Sequence, residues 1–552
     1  MSLFESKFNH PYSYDPKFSK RVAYFSMEFA IDQSLKVYSG GLGFLAGSHM
    51  RSAFELKQNL IGIGILWKYG YYDQIRQQDQ SMNVLFQEKV YSYLQDTGIK
   101  YTIDVNGHPV WVTAKYLPPQ LFNSVPMFFL TTDLPENDYL ARSISFHLYD
   151  ADLAAKIAQF ILLGVGGAKL LDELGYNAEV YHLNEAHGLA ASFYLYQKYK
   201  KLEEVKKRLV FTTHTPEEAG NEKHDIYLLN KMGYFCGTNF DEVKFISGMH
   251  DNIFDYSQVA MRFARIANGV SALHGEVSRK MWSKYEGLCP IISITNSQNY
   301  TYWADKEMYD ALKTSDDERL VRRKKYMKMR LFETVSDQAG DLYDPNVLTI
   351  VWARRFAGYK RPDLITQNRE RFERLITNKK YPIQIIWAGK PYPMDYGAIS
   401  TFNSLVHLSK VYSNISVLVG YELKLSKKLK YGTDIWLNSP RVPREASGTS
   451  GMTACMNGAI NFSTQDGWIP EFANDKNSFL IPLADQSKSI SDQDTSDLNN
   501  LYDILENQII PMYYERPDEW VAMMKRSMTD VLPAFESNRM ATEYYEKLYL
   551  NS

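Results

Sequence analysis

The sequence predicts an α/β protein made of two doubly wound, Rossmann-like domains. Three observations carry that expectation. The chain has 552 residues, more than one hydrophobic core usually serves. Short apolar strands alternate with Gly- or Ser-rich turns and helical periods along most of its length, the pattern of parallel sheets covered by helices. The polar turns recur at the carboxyl ends of those strands, where open α/β sheets bind their ligands.

The units fall into two groups. In the first, "RVAYFSMEFA" is an apolar strand leading to "YSGGLGFLAGSHMRSAFEL", a glycine turn and a helix, and "RLVFTTHTP" is a strand running into a polar loop. In the second, "VLTIVWARRFAGYKRPDLI" reads as strand, basic turn and helix. "YPIQIIWAGK", "NISVLVGYE" and "TDIWLNSP" are further strands with abrupt polar ends. Between the groups, "YTYWADKEMYDALKTSDDERLVRRKKYMKMRLFETV" is highly charged and helical in period, and opens the second domain. The expected boundaries are residues 1–297, residues 298–530, and a C-terminal segment, 531–552, whose amphipathic helix docks back on the body.

Composition narrows the function. Apolar residues make up 45% and charged residues 23%, an ordinary globular balance. The net charge of -2 leaves no basic field for nucleic acid. Cys236, Cys289 and Cys455 are far apart and form no CxxC pair, so neither a disulfide framework nor a zinc site is expected, and a cytoplasmic location is. "MSLFESKFNH" has no apolar core of a signal peptide. The apolar stretch 155–171 carries lysines and glycines and reads as a buried helix rather than a membrane span. The 40 tyrosines form either a tyrosine-rich surface or flat faces on which sugars stack; the first is preferred.

Four groups carry chemistry. Gly40, Gly41 and Gly43 precede a helix and suit either a tight structural turn or a phosphate cradle. Arg354, Arg355, Lys360 and Arg361 follow an apolar strand. They read as a solvated basic turn or, beside two glycine-rich turns, as an anion site, which is preferred. "EASGTSGMTACMNG" (445–458) resembles a phosphate-binding turn opening a helix. Glu445 before it suits sugar hydroxyls or a salt bridge to a neighbour such as Arg444. "YHLNEAHGLAA" holds His182, Asn184, Glu185 and His187, and "FTTHTPEEAG" holds His214. The spacing lacks the HExxH form, so no metal is expected. His182 reads as a core histidine, and His214, at a strand end, as a site residue. Together these groups suggest a sugar phosphate or nucleotide sugar ligand, with no nucleophile–base pair.

The same stretches resemble the α-glucan phosphorylases, the glycogen and maltodextrin phosphorylase family. "VAYFSMEFAIDQSLKVYSGGLGFLAGSHM", "YHLNEAHGLAA", "FTTHTPEEAG", "ARRFAGYKRPDL", "IIWAGK", "DIWLNSPRVPREASGTSGM" and "STQDGWIPEF" follow in family order over residues 21–475. The resemblance implies a GT-B fold, two Rossmann-like domains facing an interdomain active-site cleft, and reversible, retaining phosphorolysis of α-1,4-glucan or maltodextrin to glucose 1-phosphate. It implies catalytic roles for His214, Arg355, Lys360 and Glu445. It places Gly40, Gly41, Gly43, Asn296, Ala446, Ser447 and Gly448 on the substrate. Arg354, Thr449, Ser450, Gly451 and Thr453 would face a cofactor phosphate or a diphosphate. A homodimer is implied by resemblance alone.

One departure bears on the cofactor. The family carries pyridoxal phosphate on a lysine in "GTSGMK", and this chain reads "GTSGMT". A threonine cannot form the imine, so covalently held pyridoxal phosphate is not expected. Lys360 and Lys390 are amines at hand, but their family counterparts do other work. Ser48 stands at an acidic position of the family, and "TNSQN" (295–299) replaces a "TNGVH"-like turn. Many nucleotide-sugar transferases of the GT-B group carry two glutamates spaced as Glu445 and Thr453 are, the second on the ribose. Three readings follow: a phosphorylase-like glucosyltransferase, a cofactor-independent enzyme using a nucleotide sugar, and a non-catalytic glucan-binding or regulatory protein.

Overall fold

A computed structural model describes residues 8–249 and 251–550. The chain divides into two compact units. The first comprises Met1–Tyr72, Phe86–Asn299 and Ser537–Ser552; the second comprises Asp73–Leu85 and Tyr300–Glu536.

The second unit is a six-stranded sheet. Its spatial order is Ile415–Leu418, Ile383–Ala388, Leu348–Ala353, Ile435–Asn438, Ile460–Thr464, Ser478–Ile481, and every neighbouring pair is parallel. Numbered along the chain, that is 3-2-1-4-5-6, the Rossmann order. Strands "LTIVWA" and "IQIIWA" are buried at every residue because helices cover both faces of the sheet. The order reverses between Leu348–Ala353 and Ile435–Asn438. The chain leaving those two strands carries Arg354 to Lys360 and Glu445 to Gly451.

The charged stretch ahead of this sheet forms helices Lys306–Lys313 and Asp317–Ala339. The Asp316 side chain caps the longer helix through the Arg319 amide, and Gly340, at φ 77°, ends it. Its buried face includes Lys324 and Lys328 among Leu320, Met327, Leu331 and Val335. The hairpin Asp73–Arg76/Met82–Leu85, from early in the chain, packs on this unit. Gln74 donates to Gly389 O at 2.9 Å and accepts from Gly420 N at 3.0 Å.

The first unit holds a nine-stranded sheet. Its order is Ile291–Ser293, Ile266–Gly269, Leu209–Thr212, Val180–Asn184, Val22–Phe25, Leu60–Ile65, Met127–Thr131, then His108–Leu117 and Gln95–Val105. The first seven strands are parallel and repeat the Rossmann reversal between Val22–Phe25 and Val180–Asn184; the last two pair antiparallel. Residues 537–550 pack into this unit: Ser537 N donates to Gln298 O at 3.0 Å, and Tyr549 OH lies 2.7 Å from His182 Nδ1. Leu153–Glu173 is long and apolar enough to cross a membrane by length and composition, yet most of it is buried inside the unit. A chain with two Rossmann-type units has the GT-B class of fold.

Candidate active site

In the second unit the strand after which the order reverses delivers three cations. Arg354 and Lys360 are buried, whereas Arg355 is exposed. Lys360 Nζ lies 2.7 Å from Glu445 Oε2, and Arg354 Nη1 lies 3.5 Å from the same oxygen. Burial pushes the Glu445 carboxyl up, but Lys360, Arg354 and Arg355 together outweigh it and hold the group below the usual glutamate range. Glu445 is therefore an ionised carboxylate whose countercharges are the cations expected to meet phosphate. Arg361 points elsewhere, paired with Asp494 at 2.8 Å and Asp497 at 2.7 Å.

The turn that follows is shaped around Arg354. A Cβ at Gly448 would stand 2.8 Å from Arg354 Nη2, so glycine lets the guanidinium lie against the backbone. Arg354 Nε and Ser447 Oγ are buried and make no hydrogen bond among the described residues. Buried polar atoms are normally satisfied, and an unspent donor beside an unspent hydroxyl suits an oxyanion. Ala446 and Thr449, on the same turn, are buried. Ser450 Oγ accepts from Trp436 Nε1 at 3.2 Å, and Gly451 packs beside Asn461 and Trp468. Thr453 is fully buried on the six-residue helix Ser450–Cys455, and its hydroxyl donates to Ser450 O at 3.0 Å.

Asp466, in "STQDGW", completes this site and was not singled out by the sequence reasoning. Its Oδ2 accepts from Glu445 N and its Oδ1 from Gly467 N, each at 2.8 Å. Burial and the nearby Glu445 push its carboxyl up to about 7. The alternation of "INFST" running into a polar turn at a strand end is the signal that marks it.

The corresponding reversal in the first unit gathers a second set of polar groups. Glu185 follows strand Val180–Asn184 with φ 64° and ψ 169°, a region that costs a non-glycine residue on the order of 1–3 kcal/mol and recurs at functional sites. Its carboxylate accepts from the His214 amide and, at 3.3 Å, from Thr215 Oγ1. Burial raises it to about 7. His214 Nε2 donates to Asn184 Oδ1 at 2.8 Å, and burial lowers His214 to about 3 and His187 to about 4, so both rings are neutral at pH 7. Glu185, His187, His214, Glu222 and Tyr256 line a pocket of about 170 Å³. His182 is a satisfied core histidine between Tyr549 OH and Thr212 Oγ1, both at 2.7 Å. Asn296 is buried, and its Oδ1 has no hydrogen bond among the described residues.

The glycine turn of this unit is already engaged. Glu28 Oε2 accepts from Ser39 N at 2.6 Å and Gly40 N at 3.0 Å, placing a carboxylate before helix Gly41–Glu55. A Cβ on Gly43 would stand 2.8 Å from the same oxygen, whereas Gly40 and Gly41 face open space. Two of the sequence departures answer one another: Ser48 Oγ donates to Gln298 Oε1 at 2.6 Å.

The two Rossmann-type units set the chain in the GT-B fold class. This chain belongs to the carbohydrate phosphorylase family: the family model matches residues 254–487, and relatives more than 30% identical align along nearly all of this chain. An uncharacterized protein of Methanocaldococcus jannaschii is 44% identical over 96% of this chain and 100% of its own. The maltodextrin phosphorylase of Thermococcus litoralis is 32% identical over 97% of this chain and 71% of its own. The glycogen phosphorylase of Aquifex aeolicus is 31% identical over 99% of this chain and 89% of its own.

Proposed function

We propose that this chain is an α-1,4-glucan phosphorylase-like, retaining glucosyltransferase that exchanges a terminal glucosyl unit between maltodextrin and phosphate. The observation that carries the reading is Glu445 held at 2.7 Å from Lys360 and 3.5 Å from Arg354. The cations attract phosphate, and the carboxylate they ionise accepts hydrogen bonds from glucosyl hydroxyls. Lys360 and Arg355 take the substrate phosphate; Arg354 Nε, Ser447 Oγ and the 448–451 turn take a second phosphate. Within the first unit, the neutral His214 and the unspent Asn296 Oδ1 are groups of the kind that hydrogen-bond sugar hydroxyls. Developing positive charge on the glucosyl ring is stabilised electrostatically by oriented oxygens. The similarity to enzymes named maltodextrin and glycogen phosphorylase supports glucan as the substrate class.

Pyridoxal phosphate supplies a phosphate that works beside the substrate phosphate. The Arg354 and Ser447 atoms fit that group, but Thr453, replacing the family lysine, offers no amine to its aldehyde. That mismatch favours a second reading, a cofactor-independent transferase whose second phosphate belongs to a nucleotide sugar. The two readings separate in the synthetic direction. Inorganic phosphate released from α-glucose 1-phosphate and maltodextrin supports the first. Elongation from a nucleoside diphosphate glucose alone supports the second. Failure with both donors from folded protein sinks both and leaves a glucan-binding protein.

A further inference from the structure

Three consecutive residues, Asp466, Gly467 and Trp468, meet the 445–451 turn at three places. Glu445 N donates to Asp466 Oδ2 at 2.8 Å. A Cβ on Gly467, whose φ is 62°, would stand 3.2 Å from Ser447 Cα and 3.5 Å from both Glu445 O and Ser447 N. Glycine therefore lets this backbone lie directly against that of residues 445–447. A Cβ on Gly451 would stand 3.0 Å from Trp468 Cζ2, so the indole bounds the far end of the turn.

The three residues are themselves fixed. Asp466 follows strand Ile460–Thr464, and its carboxylate also takes Gly467 N at 2.8 Å. Ile469 N donates to Asp466 O at 3.2 Å. Trp468 is buried, and its ring centroid lies 4.8 Å from that of Phe472 and 4.9 Å from that of Phe535. Residues 445–447, by contrast, lie in no helix or strand. The Glu445 amide finds its acceptor on a side chain from another strand, not in a ladder or a helix. An irregular turn keeps one shape only where its neighbours over-determine it, and these contacts do so.

We infer that Asp466 and Gly467 are positioning residues, which set the backbone of Glu445 to Gly448 so that the turn meets a glucosyl unit in one geometry. The kinetic side of the inference rests on the phosphorylase reading above. Asp466 acts through the Glu445 amide. Alanine in its place leaves the Glu445 and Gly467 amides without this acceptor. A methyl on Gly467 presses on the Ser447 backbone and demands a conformation that alanine disfavours. Arg355 and Lys360 follow a different strand, Leu348–Ala353, so neither change reaches the cations assigned to the substrate phosphate directly.

The test joins amide exchange to kinetics on the full-length protein. Hydrogen–deuterium exchange read at single residues should show the Glu445 amide protected in the wild type and exchanging at least about tenfold faster in Asp466→Ala. In glucose 1-phosphate formation, Asp466→Ala and Gly467→Ala should each lower kcat at least about tenfold and raise the KM for maltodextrin about threefold or more, with the KM for phosphate held within about twofold. A mere loss of folded protein lowers kcat and moves neither KM. An unprotected Glu445 amide in the wild type, or exchange unchanged in Asp466→Ala, overturns the inference. If Asp466→Ala does not fold, the wild-type exchange and the Gly467→Ala kinetics decide it. Faster exchange with the maltodextrin KM unmoved also overturns it. No product from the wild type sinks the phosphorylase reading instead, and the exchange result then decides this inference alone.

Discussion

Replacing Glu445 by glutamine separates the carboxylate's three roles. Glutamine keeps the shape and one acceptor but removes the charge that faces Lys360 at 2.7 Å and Arg354 at 3.5 Å. At an effective dielectric of about 20 those separations correspond to gross attractions of roughly 6 and 5 kcal/mol. Desolvation of the three groups cancels much of this, and breaking a buried pair costs about 3–5 kcal/mol. With an acceptor retained, the lower end applies, a loss of about 3 kcal/mol. For a domain of this size that lowers the thermal midpoint by roughly 6–12 °C. Phosphate affinity should move the opposite way. The internal anion is gone, two cations stay, and inorganic phosphate should bind about tenfold more tightly by calorimetry, a change of about 1.4 kcal/mol. Glucosyl transfer should fall at least tenfold in kcat/KM, because a charged acceptor for sugar hydroxyls becomes a neutral one. An unchanged midpoint together with weaker phosphate binding would refute the assignment of Glu445 as the countercharge of Lys360 and Arg354.

Other expectations follow from the same geometry. Gly448→Ala drives a methyl to within 2.8 Å of Arg354 Nη2, so the fold should survive while phosphate binding weakens severalfold in the same titration. Thr453→Ala removes a buried methyl and a bond to Ser450 O, and should cost about 1–2 kcal/mol of stability in urea unfolding. Stability should depend on pH in a defined sense. His49 and His214 are lowered to about 3 and His187 and His274 to about 4, so from there to about 6.5 the unfolded chain binds more protons, and these groups raise stability as pH rises. Glu185 and Asp466 keep their protons to about 7 in the folded chain, so their contribution falls as pH rises from about 4 to 7. The histidines outnumber the acids, so the thermal midpoint should be higher at pH 6.5 than at pH 5. A higher midpoint at pH 5 would contradict these assignments.

The fold was legible because every sheet strand that positions the site is a short apolar run with a polar end. "VLTIVWARR" and "TDIWLNSP" announce both the buried strand and the turn at which the strand order reverses. The partners within the site were less legible. Lys360 and Glu445 are 2.7 Å apart in space and far apart in sequence, and only the parallel pairing of Leu348–Ala353 with Ile435–Asn438 sets their carboxyl ends side by side. Asp466 arrives on a third strand, and Glu185 is distinguished by a backbone conformation that composition does not reveal. The hairpin of residues 73–85 packs on a unit whose remaining chain begins at Tyr300, a contact that no local pattern encodes.

Phosphorolysis itself tests the central claim most directly. Purified protein is incubated with maltodextrin and inorganic phosphate, with and without pyridoxal phosphate, and α-glucose 1-phosphate is quantified. The account predicts product that depends on the cofactor and collapses in Lys360→Met. Absence of product in both arms, from protein that is folded and binds phosphate, would contradict it.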